Sequence, residues 1–261
     1  MFDVQIYAAG LAAGLAVAVA GWLMSMLTRN ASLADALWSL LFLAMTITYM
    51  ALAPAPAERA YLVLFLITVW AVRLAVFISL RHWGAAEDRR YRRLRAQYEP
   101  DFASNSLYLV FGAPAIVAWI ISLPLLGIAL GATPLGWLDF VAVAVWLVGF
   151  GFEAIGDQQL ARFQADPDNR TRVLDTGLWR WTRHPNYFGE ACIWWSWYLF
   201  ALAAGAWWTI IGPLLMTYLL LRVSGVALME QDIGERRPGY HDYRRRTNAF
   251  FPGPPKTAAP A

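Results

Sequence analysis

"AYLVLFLITVWAVRLAVFISL", residues Ala60–Leu80, is apolar throughout except for one charge, Arg73. Its length is roughly the 20 residues an α-helix needs to cross the hydrocarbon of a bilayer. Six further runs of the same kind occupy Val4–Leu27, Leu33–Leu52, Leu107–Leu130, Gly136–Gly156, Phe188–Ala203 and Trp207–Leu228. Of the 261 residues, 59% are hydrophobic and 15% are charged. Mean hydropathy is +0.44. A soluble domain of this size carries far more charge to cover its surface. The expectation is an all-α, polytopic integral membrane protein with seven transmembrane helices. They form one domain over residues 1–252, followed by a disordered tail, 253–261, reading "GPPKTAAPA".

Charge placement gives an orientation. Of the 21 Lys and Arg, Arg73 and Arg222 lie inside the expected helices. Among the rest, only Arg59 falls in the connections Leu52–Ala60, Leu130–Gly136 and Ala203–Trp207; the remaining 18 follow runs one, three, five and seven. Cytoplasmic connections collect Lys and Arg. This pattern puts the N-terminus outside and the C-terminus in the cytoplasm, with both long basic loops on the cytoplasmic side.

Several classes are disfavoured. "MFDVQIYAAG" has no basic start, and the apolar run that follows is too long for a cleavable signal. The single cysteine, Cys192, allows no intrachain disulfide or cysteine metal cluster. His82, His184 and His241 lack metal-site spacing, so no metal is expected. The net charge of +3 is explained by topology and calls for no nucleic-acid partner.

Sorted by depth, the ionisable residues gather toward the cytoplasmic half. They include Asp35 early in run two, Arg73 in run three, and Glu153 and Asp157 four apart on one face of run five. Arg162 lies just beyond, Glu190 sits in the second turn of run six, and Arg222 and Glu230 stand near the exit of run seven. Charges within a membrane are costly and line a cavity or face a partner. One polar pocket opening to the cytoplasm accounts for them. Plainer readings stand beside it. Glu153 and Asp157 also fit a solvated helix end, "RHWGAAEDRRYRRLRAQ" also fits a topology signal meeting anionic headgroups, and Arg73 also fits a structural ion pair with Asp35. Cys192 and "WWSWYLF" fit packing and interface positions.

"TRHPNYFGE", Thr182–Glu190, is richer than a structural helix start requires. Pro185 fits a first helical turn, where its missing N–H costs nothing. The free amides and the dipole of such a terminus favour an anion. Arg183 and His184 add cationic donors, Asn186 a donor and an acceptor, and Tyr187 a phenol and a ring. Upstream, "DNRTRVLDTGLWRWTRHP" supplies Arg170, Arg172, Arg180 and Arg183, and arginine matches phosphate bidentately. Downstream, "ERRPGYHDYRRRTNAFFPGP" can fold back over a bound nucleotide with Tyr240 and Tyr243. The glycines of "GFGFEAIG" have the wrong spacing for a dinucleotide fold and lie within a membrane helix.

Three stretches together, "EAIGDQQLARF", "GLWRWTRHPNYFGE" and "YHDYRRRTNAFFP", resemble the membrane steroid 5α-reductase family, most closely its bacterial seven-helix branch. "LADALW" in run two is similar to that branch as well. The resemblance covers almost the whole chain and is most specific over Glu153–Glu190. It implies a seven-helix catalytic domain in a bacterial inner membrane, with its active site facing the cytoplasm. The implied activity is NADPH-dependent reduction of an activated C=C bond, as in a 3-oxo-Δ4 steroid or a similar lipid enone. Asp157, Arg162, Arg172, Asn186 and Glu190 would contact NADPH, with Trp194 near the nicotinamide. Arg183, His184, Tyr187, Glu230, Tyr240, Tyr243 and Arg246 would complete the enclosure.

The chain departs from the eukaryotic reductases, which carry a Gln-Glu pair on helix two and a Tyr on helix three; here those regions read "LADALW" and "TVWAVRL". Asp35, protonated or water-bridged, and Arg73 are the substitutes, with Tyr91 a further candidate. The expected substrate is a flat apolar steroid or lipid entering from the bilayer. A monomer is one option the sequence leaves open. Related RHPxY motifs occur in isoprenylcysteine and phospholipid methyltransferases, so an S-adenosylmethionine-dependent membrane methyltransferase is the alternative; its cofactor has no phosphate to engage four arginines. A transporter or lipid-binding scaffold would place polar residues through the full depth of the bundle.

Overall fold

The structure, a computed structural model, describes residues 2–223 and 237–256. Every regular element among them is helical: α1 (Val4–Thr28), α2 (Leu33–Leu52), α3 (Glu58–His82), α4 (Arg89–Tyr98) and α5 (Phe102–Ser106) come first. A π turn, Leu107–Gly112, leads into α6 (Ala113–Ile121), followed by α7 (Leu123–Ala129), α8 (Trp137–Ala165) and α9 (Pro185–Ala203). A 3-10 turn, Trp207–Ile210, opens α10 (Ile211–Tyr218), a π turn, Leu219–Val223, extends it, and α11 is Tyr240–Arg246.

Among the described residues, five helical segments are long and apolar enough to cross a membrane: α1, α2, α3, Phe102–Ile121 and α8. Their outward faces leave large apolar side chains open, such as Leu27, Phe65 and Phe140, as lipid-facing positions do. The last two expected runs are helical over Pro185–Ala203 and Trp207–Val223, outside that set of five. The fourth run differs from its expected bounds. Its membrane-length segment starts earlier, at Phe102, and stops at Ile121. There the Ser122 N–H reaches back to the Ala118 and Trp119 carbonyls, and Pro124, without an N–H, cannot continue the ladder. The fifth run extends past Gly156, so that Asp157 and Arg162 are helical.

The chain divides into two compact units. The first comprises Met1–Asp139 with Phe200–Gly212. Asp3 starts α1 by accepting the Gln5 and Ile6 amides at 2.9 and 3.0 Å. α1 then presents Gly10, Gly14 and Gly21 to Tyr49, Met45 and Leu37 of α2. A Cβ at Gly10 would stand 2.1 Å from the Tyr49 ring, so the helices approach more closely than any larger residue permits. Between lipid-exposed helices, where no hydrophobic drive favours association, such contact supplies the packing energy.

Arg59, the one cation of the sparsely charged connections, is 2% exposed. Its Nε and Nη2 donate to Asp139 Oδ1 and Oδ2 at 2.6 and 2.9 Å. Nη1 donates to Thr133 Oγ1 at 2.7 Å, and Nη2 also donates to the Pro134 carbonyl at 2.8 Å. The exception to the charge pattern is thus a buried, paired charge that joins the start of α3 to the start of α8.

The second unit comprises Phe140–Leu199 with Pro213–Ala261. Its frame is a seam between α8 and α9. A Cβ at Gly149 would lie 2.7 Å from the Gly189 carbonyl oxygen, and one at Gly189 would lie 2.5 Å from the Gly149 carbonyl oxygen and the Glu153 nitrogen. Toward the cytoplasmic end of the expected topology, Gly156 receives Pro185 and the Asn186 nitrogen in the same way. Two of the three glycines of "GFGFEAIG" are therefore contact positions, Gly149 and Gly156, two turns apart on one face, while Gly151 faces open space.

Candidate functional site

In the second unit, α9 begins at Pro185, as the sequence predicts. The Thr182 hydroxyl accepts from the His184 N–H at 3.3 Å and donates to the Phe250 carbonyl at 2.9 Å. The His184 carbonyl accepts from Phe188, which closes the first turn. The His184 and Tyr187 rings stack nearly parallel at 5.5 Å between centroids. Because the seam holds the α9 start against Gly156, the next α8 residue, Asp157, is brought to it. Asn186 Nδ2 donates to Asp157 Oδ1 at 3.2 Å, and Asp157 is 8% exposed. Glu153, one turn deeper, is also buried.

That pair changes what the helix terminus offers. A carboxylate already stands beside the dipole's positive end. It supplies an acceptor for hydroxyl or amide donors, with the Asn186 carbonyl and amide next to it. Near it in sequence stand exposed cations. Arg162 stands one turn and a half beyond Asp157 on α8, and Arg170, Arg172 and Arg180 lie on the loop; all four are exposed.

Arg183 has a different place. It is buried, and its Nη1 donates to the Arg244 and Thr247 carbonyls at 3.0 and 2.8 Å, while its N–H bonds the Asn248 carbonyl. The guanidinium braces the tail. The Tyr243 hydroxyl, also buried, donates to the Trp179 carbonyl, and Arg246 pairs with Asp175 at 2.6 Å. Tyr240 packs edge-on against Tyr243. The tail therefore folds back onto the arginine-rich loop. The segment expected to be disordered from residue 253 makes backbone bonds at its start, Gly253 to Trp181 and Lys256 to Arg246. Glu190 is half-buried and Trp194 fully buried on α9. Glu230 lies outside the described residues.

In the first unit, Asp35 and Tyr91 come together. The Tyr91 hydroxyl donates to Asp35 Oδ1 at 2.7 Å, and Arg90 Nη2 donates to Oδ2 at 2.7 Å. Asp35 thus accepts on both of its oxygens. Burial, together with the adjacent Asp35 charge, raises the Tyr91 phenol well above its ordinary pKa. Arg73 is half-buried on α3.

Two further carboxylates seat α4. Glu87 takes Arg95 Nη2 at 2.7 Å, Arg95 Nε at 3.0 Å and the Ala31 amide at 2.8 Å. The Asp88 amide donates to Ser32 Oγ, and its carboxylate caps α4 at the Arg90 amide. Burial pushes both carboxyls up, but Arg95 and Ala31 at Glu87, and Arg90 at Asp88, outweigh it and hold both below the usual range.

Residues 21–247 match the family described as Protein of unknown function (DUF1295). The chain belongs to that family. The match spans every candidate residue of both sites. An uncharacterised protein of Schizosaccharomyces pombe, C594.04c, is 29% identical over 271 residues, covering 88% of this chain and 75% of its own length. No solved structure matches significantly.

In this DUF1295 chain the sequence reading missed Thr182, Asp175 and the carbonyls of Arg244, Thr247 and Phe250. Asp175 was within reach of a charge argument, as an acid among arginines. The carbonyls were not, since every residue carries one. It also missed Glu87, whose signal was an acid eight residues before Arg95.

Proposed function

We propose that this protein is an NADPH-dependent reductase that reduces the activated C=C bond of a 3-oxo-Δ4 steroid or a similar lipid enone, in a bacterial inner membrane with its active site facing the cytoplasm. One observation carries the reading: the buried Asp157–Asn186 pair at the start of α9, flanked by the exposed Arg162, Arg170, Arg172 and Arg180. The donor set fits a dinucleotide. Asp157 and Asn186 suit hydroxyl and amide groups, and arginines suit phosphates, a 2′-phosphate included. The resemblance of Glu153–Glu190 to the steroid 5α-reductases supports the same cofactor.

When bound, NADPH supplies a hydride. The chain's own residues hold and enclose. Asn186 is fixed by Asp157, so its amide is oriented before any ligand arrives. The tail, held by Arg183 and Tyr243, keeps the loop arginines in place. His184, Tyr187, Glu190, Trp194, Tyr240 and Arg246 are proposed to complete the enclosure. For the substrate, charge grows on the ketone oxygen during reduction, and a donor there lowers the barrier. Arg73 and the Asp35–Tyr91 pair are proposed for that role; Tyr91 serves as the donor by turning its O–H, which rests on Asp35, to the ketone oxygen. With its pKa raised, Tyr91 stays protonated at working pH and acts by hydrogen bonding, not by ionising.

Thermal unfolding of the full chain in detergent tests the cofactor. NADPH is expected to raise the midpoint, and Asn186→Ala or Arg172→Ala to abolish the rise. Asp35→Ala should keep the rise but slow turnover of a 3-oxo-4-ene steroid panel. Stabilisation by S-adenosylmethionine alone overturns the reductase reading in favour of a methyltransferase.

A further inference from the structure

α4 links α3 to Phe102–Ile121, two segments that are each long and apolar enough to cross a membrane, so it lies at a membrane surface whichever side that is. Its residues separate cleanly around the helix axis at about 100° per residue. Tyr91, Leu94, Arg95 and Tyr98 share one side and are half-buried. Arg90 stands at that side's border, paired with Asp35 and Asp88. Arg95 is fixed twice, by Glu87 and by lying 4.1 Å over the Phe102 ring. The other side, Arg89, Arg92, Arg93, Ala96 and Gln97, is exposed throughout. Just before α4, Leu80 and Trp83 are also exposed, Trp83 at 84%, an aromatic at the level where interfacial tryptophans sit.

The two faces have different chemistry. The inward arginines already have carboxylates and serve to dock the helix. Arg92 and Arg93 stand on the exposed side, Arg92 within coulombic reach of Glu87, and a membrane surface there would bring lipid phosphates to both. A topology signal needs only the number of charges near the span. It does not need a helix capped by Asp88 and seated by Glu87 so that its remaining arginines face one way.

We infer that the outer face of α4 is a binding surface for anionic phospholipid headgroups, with Arg92 and Arg93 as its phosphate-binding pair. Each arginine near an anionic surface contributes a similar electrostatic increment, and guanidinium engages a phosphate in fork geometry. The surface is independent of the proposed reductase activity and is read by binding alone.

The test is native mass spectrometry of the full-length protein released from micelles containing equal phosphatidylglycerol and phosphatidylcholine. Wild type is expected to retain phosphatidylglycerol over phosphatidylcholine by roughly tenfold. R92Q/R93Q should bring the ratio near one, and R92K/R93K should keep part of the preference. R244Q/R245Q, which removes two exposed charges from the other unit, should leave it unchanged. Equal retention of the two lipids by wild type overturns the inference, as does an equal loss in the R244Q/R245Q control. Displacement of phosphatidylglycerol by millimolar inorganic phosphate would mean a free-anion site and also overturns it.

Discussion

Both units hold a polar segment against apolar helices, and they do it with opposite chemistry. In the first, α4 is seated by charged side chains meeting charged side chains: Arg95 on Glu87, Arg90 on Asp35 and Asp88. In the second, the tail is seated mainly by side chains meeting main-chain carbonyls, Arg183 on residues 244 and 247, Thr182 on 250 and Tyr243 on Trp179, with one half-exposed ion pair, Arg246 on Asp175, beside them. Ion pairs at a surface weaken with salt and with protonation. Carbonyls do not titrate, and a buried guanidinium is poorly screened. α4 is therefore the adjustable attachment and the tail the permanent one. The tail's arrangement also leaves Arg170, Arg172 and Arg180 exposed for a ligand, because the bracing is left to a different arginine.

The comparison breaks most visibly at Arg183. Arg183→Met leaves the Arg244 and Thr247 carbonyls without their donor, and should cost about 3 kcal/mol. Protease cleavage within residues 244–252 should accelerate, at low and high salt alike. A salt-dependent cleavage rate in wild type would show that the tail is not held as described.

Glu87→Gln should cost less, about 1–2 kcal/mol, because its partner Arg95 is partly solvated and can regain water. The same attachment should respond to acid. Glu87 and Asp88 have folded pKa values below their unfolded values of about 4.3 and 3.9. Their contribution is present above those unfolded values and is lost as pH falls through the folded ones. Protection of residues 89–98 against hydrogen exchange, taken relative to the intrinsic rate at each pH, should fall below about pH 4 in wild type and be less pH-dependent in Glu87→Gln. Protection in residues 240–247, measured in the same way, should change less over that range. At the small end, Arg245→Ala removes an exposed pair with Asp242 and should shift stability by under about 0.5 kcal/mol in a thermal melt. A larger loss would place Arg245 in the bracing network.

Much of this was legible in the sequence because it rests on periodicity and sign. The bounds of α2 coincide with the apolar run Leu33–Leu52, and Pro185 opens α9; that Asp157 and Asn186 bond each other was not read from the sequence, where only the family resemblance grouped them. The kink at Ser122 was masked because Leu123–Leu130 stays apolar on both sides of Pro124, and hydropathy alone does not register a broken ladder. The role of Arg183 was hidden for another reason. Its partners are carbonyls, which leave no trace in residue identity, so composition grouped it with the exposed arginines beside it. Arg59 ran the other way: it looked like an exception to the topology rule until Asp139 appeared as its partner.

The glycine seam between α8 and α9 has a last consequence, for depth. At Gly149 and Gly189 not even a methyl group fits between the helices, and Pro185 closes the gap again at Gly156. A molecule held by Asp157 and Asn186 thus rests on a floor of backbone and cannot wedge the two helices apart. Asn186, Glu190 and Trp194 follow one another at four-residue spacing on α9, so they form one stripe along the helix beside that floor. A long ligand running from Asp157 and Asn186 toward Glu190 would therefore lie along α9, over the floor and not between the two helices.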